Sequence, residues 1–335
     1  MAKRTNPMTS KTSTIPDRDL RRFGDVRDLL PDVNNPSPIV RLNRVDPAVD
    51  LDLYLKLEWM NPFGSLKDRT AAYLLAGLRE RGELKDNKEI IEATSGNTGI
   101  ALAALGALTG RKVTVTVPEG VPEEKKVALR MLGADVWETP DDVCPVDHPT
   151  DGAIALARSF VRSAGGDRYS MPNQYENDDN VRAHYETTGP EVWSQTEGQV
   201  RWFVAGLGTT GTVTGVGRFL KEKDPSIQIV AVEPQPGHRI PGLKNLEEAK
   251  EPRIVDWSVI DHVIRVNDDP AYETTKQIWR EEGLMVGPST GAVVSAVSQL
   301  DTSESDTVVA ISADSGLKYT SYFQELLGTE GVPHV

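Results

Sequence analysis

Short apolar runs alternate with amphipathic stretches along most of the 335-residue chain. Runs such as Glu89–Ala93, Lys112–Val117 and Val200–Gly206 are typical of buried strands, and a segment with helical periodicity follows each of them. The same patterns predict a late strand over residues 307–311 and helices over residues 270–282 and 316–327. Because strands that are joined through helices lie parallel, this order predicts an α/β protein with two open parallel sheets. Ligands bind such sheets at the carboxyl ends of the strands. We therefore expect the functional residues in the loops at these ends.

Composition excludes several classes of protein. The net charge of −13 does not provide the basic face that a nucleic-acid backbone requires, so no nucleic-acid partner is predicted. No apolar run reaches the length of a membrane span, and residues 1–22 lack the apolar core of a signal peptide, so a cytoplasmic protein is expected. The single cysteine, Cys144, excludes an intramolecular disulfide and a multi-cysteine metal site, and no metal site is predicted.

The segment Asn61–Thr70 combines turn residues with a helix start. Ser65 and Asp68 have the spacing of an N-cap and its reciprocal acid, and apolar residues then recur at helical spacing until Gly82. Lys67 would lie in the first turn, where the positive end of the helix dipole and partial burial both lower the pKa of an amine. Such a lysine can act as a nucleophile. A solvated lysine at a helix start is the alternative.

The loop Gly206–Gly211 fits the pattern G-x-G-x-x-G between a strand and a helix, and Glu233 ends the next strand. That acid lies near the distance of a ribose ligand in a dinucleotide site, so a nicotinamide-dependent dehydrogenase is one interpretation. The hydroxyl groups of Thr209, Thr210 and Thr212 favour a compact phosphate monoester instead, bound by N–H groups at the helix start.

A second strand-to-helix loop, Thr94–Gly99, is rich in hydroxyl groups and backbone donors. A carboxylate bound there would meet the dipole of the following helix. An ordinary helix cap at Ser95 or Asn97 is the alternative, and it is compatible with that role. A nucleophilic lysine, a phosphate cradle and a carboxylate cradle at strand ends together describe a site for a phosphorylated aldehyde, such as pyridoxal phosphate, and an amino acid.

Five segments occur in one order along the chain: Asn61–Arg69, Glu92–Gly99, Gly206–Thr212, Ala231–Pro234 and Gly287–Gly291. In this order they resemble the successive motifs of the cysteine synthase and cystathionine β-synthase family, which are pyridoxal-phosphate enzymes of fold type II. The resemblance extends from about residue 38 to residue 319. It implies a fold like that of the tryptophan synthase β subunit.

The same resemblance implies a domain organisation. The smaller α/β domain would comprise residues 61–171, and the larger would comprise residues 36–60 and 172–327, with the active site in the cleft between them. An N-terminal arm (1–35) and a C-terminal tail (328–335) would flank the two domains. Family members are usually homodimers, which implies the same for this chain.

The resemblance also implies roles for individual positions. Lys67 would hold pyridoxal phosphate as a Schiff base and then act as general base and acid. Asn97 would bind the 3-hydroxyl group of the pyridine ring, and Ser289 would face the ring nitrogen, with Thr290 as the alternative if the register shifts by one. The cofactor phosphate would be bound by Gly208, Thr209, Thr210, Gly211 and Thr212, and the substrate carboxylate by Thr94, Ser95, Thr98 and Gln174.

A neutral serine at the ring nitrogen would favour β-elimination to an aminoacrylate over transamination or racemisation. Attack by sulfide or by a thiocarboxylate donor would then give L-cysteine, from O-phosphoserine or O-acetylserine. The segment Gly242–Asn245 resembles the one in phosphoserine-using members, so Lys244, aided by Arg239, would meet the substrate phosphate. Basic residues on an exposed loop are the alternative.

Other functions remain open at this point. A cystathionine synthase, a diaminopropionate synthase or a serine/threonine dehydratase would share the cofactor motifs, so the chain is predicted to be a transferase or lyase of a small amino acid. The dehydrogenase and a non-catalytic binding partner belong to different classes. His184 and His238 are predicted to be surface histidines rather than groups that titrate in the site.

Overall fold

The computed structural model describes residues 22–45, 51–141, 145–146, 152–163 and 167–327, except for the side chains of residues 325–327. The first 21 residues of the predicted arm, Cys144 and the predicted tail lie outside the described residues. Within these ranges, no helix combines the length and the apolar character that a membrane span requires.

The strands are short and mostly apolar, as the sequence predicts. In chain order they are β1 (Ile39–Arg41), β2 (Asp52–Leu57), β3 (Glu89–Ala93), β4 (Val113–Pro118), β5 (Asp135–Thr139), β6 (Tyr169–Ser170), β7 (Val200–Gly206), β8 (Gln228–Pro234), β9 (His262–Val266) and β10 (Thr307–Ser312).

The helices connect most of these strands. In chain order they are α1 (Lys67–Glu80), α2 (Asn97–Leu108), α3 (Glu123–Met131), α4 (Ala153–Ser163), α5 (Asp179–Ala183), α6 (Gly189–Gln195), α7 (Gly211–Lys223), α8 (Asp268–Gln277), α9 (Pro288–Val297) and α10 (Thr320–Leu327).

The described strands form two sheets. The larger has the order β1-β2-β10-β7-β8-β9, and the smaller has the order β5-β4-β3-β6. Every pairing is parallel except that of β1 with β2. The expected α/β class with two parallel sheets is therefore confirmed. The smaller sheet takes four consecutive strands, which agrees with the predicted division of the chain, although the domain limits themselves stay a prediction.

The central strand β10 shows why the larger sheet is covered on both faces. Val308 and Ala310 pack in the cluster that contains residues of α9, whereas Val309 and Ile311 pack in the cluster that contains residues of α7. Successive side chains of a strand point to opposite faces, so an unbroken apolar run is what a sheet between two helical layers requires. The carboxyl end of β10 consequently lies between the helical layer that contains α9 and the one that contains α7.

Three helical regions differ from the predictions. The helix expected over 270–282 ends at Gln277 and continues as a π-helical turn, Ile278–Glu282. The helix expected from Gly316 begins as a 3-10 turn before α10. The helical stretch from α5 to α6, with a π-helical turn at His184–Thr188, was not predicted at all. Its polar sequence has no simple apolar stripe, because it packs between α1 and α7 rather than on a sheet.

A buried network of charges anchors the start of α1. The guanidinium of Arg69 lies 2.8 Å from Glu58 and 2.8 Å from Glu191, and the Lys56 amine lies 2.7 Å from Glu191. Burial alone would raise the pKa of Glu58, but the charge of Arg69 lowers it to about 2. A buried charge is tolerated when it is paired in this way. The ion pairs of Arg69 therefore fix the start of α1, where Lys67 lies two residues earlier.

Candidate active site

The predicted capping pair of Ser65 and Asp68 is formed only in part, and the N-cap position of α1 is Leu66. The Lys67 amide donates to Ser65 Oγ at 3.2 Å, and Ser65 Oγ donates to Asp68 Oδ1 at 3.3 Å. The other oxygen of Asp68 accepts from the amide of Phe63 at 2.7 Å rather than from that of Ser65. Lys67 begins the helix and so lies in its first turn, as predicted, and Gly82, with φ of 69°, follows the end of the helix.

The half-buried side chain of Lys67 lines a cavity formed by residues that follow β3, β7 and β10. In the described part of the chain, its amine makes no hydrogen bond and no ion pair. Burial lowers the pKa of this amine to about 8; the carboxylate of Asp314 opposes the shift and the ammonium of Lys125 adds to it. A solvated lysine is therefore not what the structure contains, and the amine is available as a nucleophile.

The glycine-threonine loop lies in the same cavity, where Gly208, Thr209, Thr210 and Thr212 all line the wall. Thr210 has φ of 66°, the left-handed conformation, immediately before α7. The amides of residues 208–210 donate to no acceptor in the described part of the chain, and the first amides of a helix have no partner within it. Gly211 itself does not line the cavity. Free N–H donors at a helix start are suited to a phosphate group.

His184 lies behind this loop and is fully buried, so its predicted surface position is wrong. Its Nε2 lies 3.2 Å from Thr212 Oγ1 and 3.3 Å from Thr70 Oγ1, and its Nδ1 lies 2.9 Å from Thr188 Oγ1. Burial lowers the pKa of His184 to about 3, and the charge of Lys67 adds to the effect. The ring is therefore neutral and joins α1 to α7. It was missed because the stretch from α5 to α6 was not predicted to be helical.

The loop after β3 contributes three of its predicted residues to the cavity, namely Ser95, Asn97 and Thr98, and Gln174 lies beside them. Thr98 Oγ1 donates to Gln174 Oε1 at 2.7 Å, and Gln174 Nε2 donates to the carbonyl oxygen of Ala93 at 2.8 Å. The two side chains are thus fixed relative to each other at the wall of the cavity.

Thr94 is not among the described lining residues, and its contact with substrate stays a prediction. Its Oγ1 accepts from the amides of Gly96 at 3.0 Å and Gly99 at 3.4 Å, behind the loop. The N-cap position of α2 is Gly96, with φ of 116°, rather than Ser95 or Asn97. The hydroxyl of Thr94 therefore shapes the loop, because a short side chain in a turn readily bonds to the backbone next to it.

A cluster around Asp314 was not predicted. Asp314 Oδ2 accepts from Asn97 Nδ2 at 2.7 Å and from the hydroxyl of Tyr319 at 2.6 Å, and it lies 3.4 Å from the amine of Lys125. Asn97 Oδ1 accepts from the amine of Lys318 at 3.1 Å. Asp314 lies two residues after the end of β10, so its position at the carboxyl end of a central strand was the signal that could have identified it.

Ser289 and Thr290 are adjacent, but they face different surroundings. Ser289 lines the cavity. Thr290 is fully buried, with its hydroxyl 3.1 Å from that of Ser312 on β10. Of the two predicted alternatives, Ser289 is therefore the residue that a ligand in the cavity can reach.

Lys244 also lines the cavity and is 6% exposed, so it does not belong to an exposed loop. Its amine donates to the carbonyl oxygen of Pro145 at 2.8 Å and lies 4.7 Å from the centre of the Tyr175 ring. Arg239 is exposed and is not among the described residues of the cavity wall. His238 is partly exposed, and its Nδ1 accepts from the amide of Ile240.

Glu233 does not serve as a ribose ligand. It is buried, its Oε1 accepts from the amide of Leu246 at 2.7 Å, and its Oε2 lies 3.1 Å from Arg265. Glu233 is also absent from the described residues that line the cavity. A dinucleotide site needs a free acid at this position, and the structure does not provide one.

The residues present fit a phosphorylated aldehyde cofactor. A free amine with a lowered pKa faces the same cavity as unpaired loop amides at a helix start. The buried Oδ1 of Asp314, which has no partner in the described part of the chain, leaves an acceptor at the same wall. Fold and site together define the class of pyridoxal-phosphate-dependent enzymes.

The comparison with protein families agrees. Residues 30–314 match the family described as "Pyridoxal-phosphate dependent enzyme", and the chain belongs to that family. The dehydrogenase interpretation is therefore wrong, and the cofactor is pyridoxal phosphate.

Relatives and solved structures place the chain among fold type II enzymes. It is 38% identical to cysteine synthase B of Pseudomonas aeruginosa over 286 residues, which are 85% of this chain and 93% of that protein. A crystal structure of cysteine synthase from Entamoeba histolytica has a TM-score of 0.82 at 29% identity and covers 96% of each chain. A mutant of O-ureido-L-serine synthase with bound O-ureido-L-serine has a TM-score of 0.83 at 30% identity, covering 93% of this chain and 97% of that one.

Proposed function

We propose that the protein forms L-cysteine by replacing the β-substituent of an activated L-serine with sulfur from sulfide or a thiocarboxylate. The proposal is supported by the similarity to cysteine synthases over most of the chain. The observation that carries it is that the free amine of Lys67 and residues 208–210 and 212 of the glycine-threonine loop face one cavity. Bound pyridoxal phosphate supplies an aldehyde for the amine and a ring that withdraws electrons from the substrate.

Each part of the cofactor would meet a different residue. The amine of Lys67 would hold the aldehyde carbon, and the loop 208–212, in which the amides of residues 208–210 are free, would hold the phosphate. Asn97 would bind the ring oxygen, and Ser289 would face the ring nitrogen. Because the hydroxyl of Ser289 carries no charge, it does not keep that nitrogen protonated. This favours loss of a leaving group over racemisation or transamination.

Lys67 would also move the proton at the substrate Cα. An amine with a pKa of about 8 is partly unprotonated near neutral pH, which is the condition for a general base that later returns the proton. The substrate carboxylate would be held by Ser95 and by the bonded pair Thr98 and Gln174, which line the same cavity. These contacts would orient the Cα–H bond toward the amine.

Lys244 supports O-phosphoserine as the preferred substrate. Among the described lining residues, Lys67 and Lys244 are the cationic side chains, and Asp314 is the carboxylate. A phosphate leaving group carries more negative charge than an acetate ester, so a buried ammonium would stabilise its departure selectively. O-acetylserine is the alternative substrate, with no such requirement.

The anchoring of the cofactor is tested by borohydride reduction followed by peptide mapping. We expect the purified protein to be yellow and the reduced cofactor to remain on the peptide that contains Lys67. The variant Lys67→Ala should retain no cofactor covalently and should lose cysteine formation. Covalent label on another lysine, or wild-type turnover by Lys67→Ala, would contradict the assignment. The predicted homodimer is tested by sedimentation velocity of the same preparation.

The leaving group is tested by measuring kcat/KM with O-phosphoserine and O-acetylserine, each with sulfide. Lys244→Met should lower the value for O-phosphoserine about 10- to 100-fold, which is the effect of a hydrogen bond to a charged group. The value for O-acetylserine should change little. Lys276→Met, on α8 with its amine 2.9 Å from Glu273, is the matched control. An equal loss on both substrates, or no loss, would remove phosphate recognition from the proposal.

A further inference from the structure

The side-chain amide of Asn97 lies between one negative and one positive group. Its Nδ2 donates to Asp314 Oδ2 at 2.7 Å, and its Oδ1 accepts from the amine of Lys318 at 3.1 Å. Asp314 is 1% exposed and Lys318 is part-buried, so both contacts are largely shielded from water. Shielding strengthens the preference of each end of the amide for its own partner.

These two neighbours permit one orientation of the amide. A carboxylate only accepts hydrogen bonds and an ammonium only donates them. Rotating the amide of Asn97 by half a turn would direct its carbonyl at Asp314 and its N–H groups at Lys318, so both contacts would become repulsive. The observed orientation uses Oδ1 and one N–H of Nδ2. The second N–H is the donor that remains for a ligand in the cavity, which Asn97 lines.

Asp314 and Lys318 are each fixed by further hydrogen bonds. Asp314 Oδ2 accepts from the buried hydroxyl of Tyr319, and its backbone oxygen accepts from the amide of Gly287 at 2.9 Å. Lys318 also donates to the carbonyl oxygen of Phe63 at 3.4 Å, in the turn that precedes the cofactor lysine. The orientation of one amide is thus connected to the strand end of β10 and to the start of α1.

We infer that Asp314 and Lys318 are positioning residues that present an N–H of Asn97, and not its carbonyl, to the ring oxygen of the cofactor. The inference rests on the proposed contact of Asn97 with that oxygen. A donor facing the oxygen favours its deprotonated form, whereas a carbonyl would favour the protonated form. Asp314 and Lys318 would therefore control which of the two forms the bound cofactor adopts.

The test compares the visible spectra of the holoenzymes, because the two forms of the ring oxygen absorb in separate bands. Asn97→Ala removes the donor and should lower the ratio of the long- to the short-wavelength band. Lys318→Met removes one orienting contact, and the isosteric Asp314→Asn makes the other unspecific, because an amide can present either its oxygen or its N–H groups to Asn97. Both variants should lower the ratio in the same direction, about two- to tenfold. Adding Asn97→Ala to either variant should give the ratio of Asn97→Ala alone, because Asp314 and Lys318 act through that amide. Lys276→Met is the control.

The possible outcomes distinguish a failure of the positioning role of Asp314 and Lys318 from a failure of the proposed function. If Asn97→Ala lowers the band ratio while Lys318→Met and Asp314→Asn keep the wild-type ratio, the two residues do not position Asn97 and the inference fails. If Asn97→Ala itself has no effect, its contact with the ring and the inference are both wrong, while cofactor anchoring at Lys67 still stands. Thermal unfolding of each variant checks that the spectra come from folded protein.

Discussion

Replacing His184 with glutamine removes a buried titratable ring from the contact between α1 and α7. Glutamine keeps a polar group that can reach the hydroxyls of Thr70 and Thr212, which lie 3.3 Å and 3.2 Å from the ring. The variant therefore keeps hydrogen-bonding capacity at the site but does not titrate. Any difference in the acid dependence of stability between wild type and variant then belongs to the histidine.

The magnitude follows from the pKa of His184, which burial lowers from the ordinary value of 6.5 to about 3. Between these values the unfolded chain binds a proton that the folded protein does not bind. The stability contributed by the neutral ring is therefore fully present above pH 6.5 and is lost as the pH falls toward 3. At pH 5 the loss is about 2 kcal/mol, since each unit of pH below 6.5 costs ~1.4 kcal/mol.

The assay is urea unfolding at pH 7 and pH 5 of wild type, His184→Gln and the control His262→Gln, whose ring is partly exposed. Between these pH values, wild type and control should lose about 2 kcal/mol more stability than His184→Gln. Burial raises the pKa of Asp68 to about 7 and that of Glu92 to about 8, which acts in the opposite direction. The contribution of Asp68 and Glu92 cancels when the three proteins are compared, because all three contain both residues. An equal decline in all three would refute the reasoning.

Two further predictions concern charge and close packing. Glu191→Gln should lower the free energy of unfolding by about 3–5 kcal/mol, because it leaves buried cations without their partner, whereas the exposed control Glu304→Gln should change it by less than about 0.5 kcal/mol in urea titrations. Equal effects would show that the buried charges are not coupled. Gly211→Ala should weaken pyridoxal phosphate binding to the apoenzyme about tenfold, since the new Cβ would lie 2.3 Å from Asn180 Oδ1 and displace the loop. Gly24→Ala, whose Cβ would have its nearest neighbour at 3.7 Å, should bind like wild type, and a normal affinity for Gly211→Ala would contradict the prediction.

Local patterns were sufficient for the features that depend on neighbours in sequence. Turn residues and helical spacing identified the start of α1 at Lys67, and an apolar run identified β10. A glycine pattern between a strand and a helix identified the loop before α7. In each case the signal lies within about ten residues, where propensity and periodicity act.

Features that depend on distant contacts could not be predicted. The burial of His184 requires α1 and α7 to pack on either side of it, and the burial of Lys244 requires Pro145 and Tyr175 to cover its side chain. The role of Thr94 depended on whether its hydroxyl faced the cavity or the loop backbone, and both directions suit the same sequence. Asp314 escaped attention because the residues that surround it come from three separate segments.

The order of strands in the larger sheet affects how the chain is completed during synthesis. Strand β10 lies between β2 and β7, yet it is the last of the described strands to leave the ribosome. The smaller sheet is complete by Ser170, so it can form early, whereas β2 and β7 must wait with open edges until residue 312 is available. Unpaired edges favour association with other chains. A chain truncated before Thr307 should therefore be far more dependent on chaperones than the released full-length chain, in which β10 can pair.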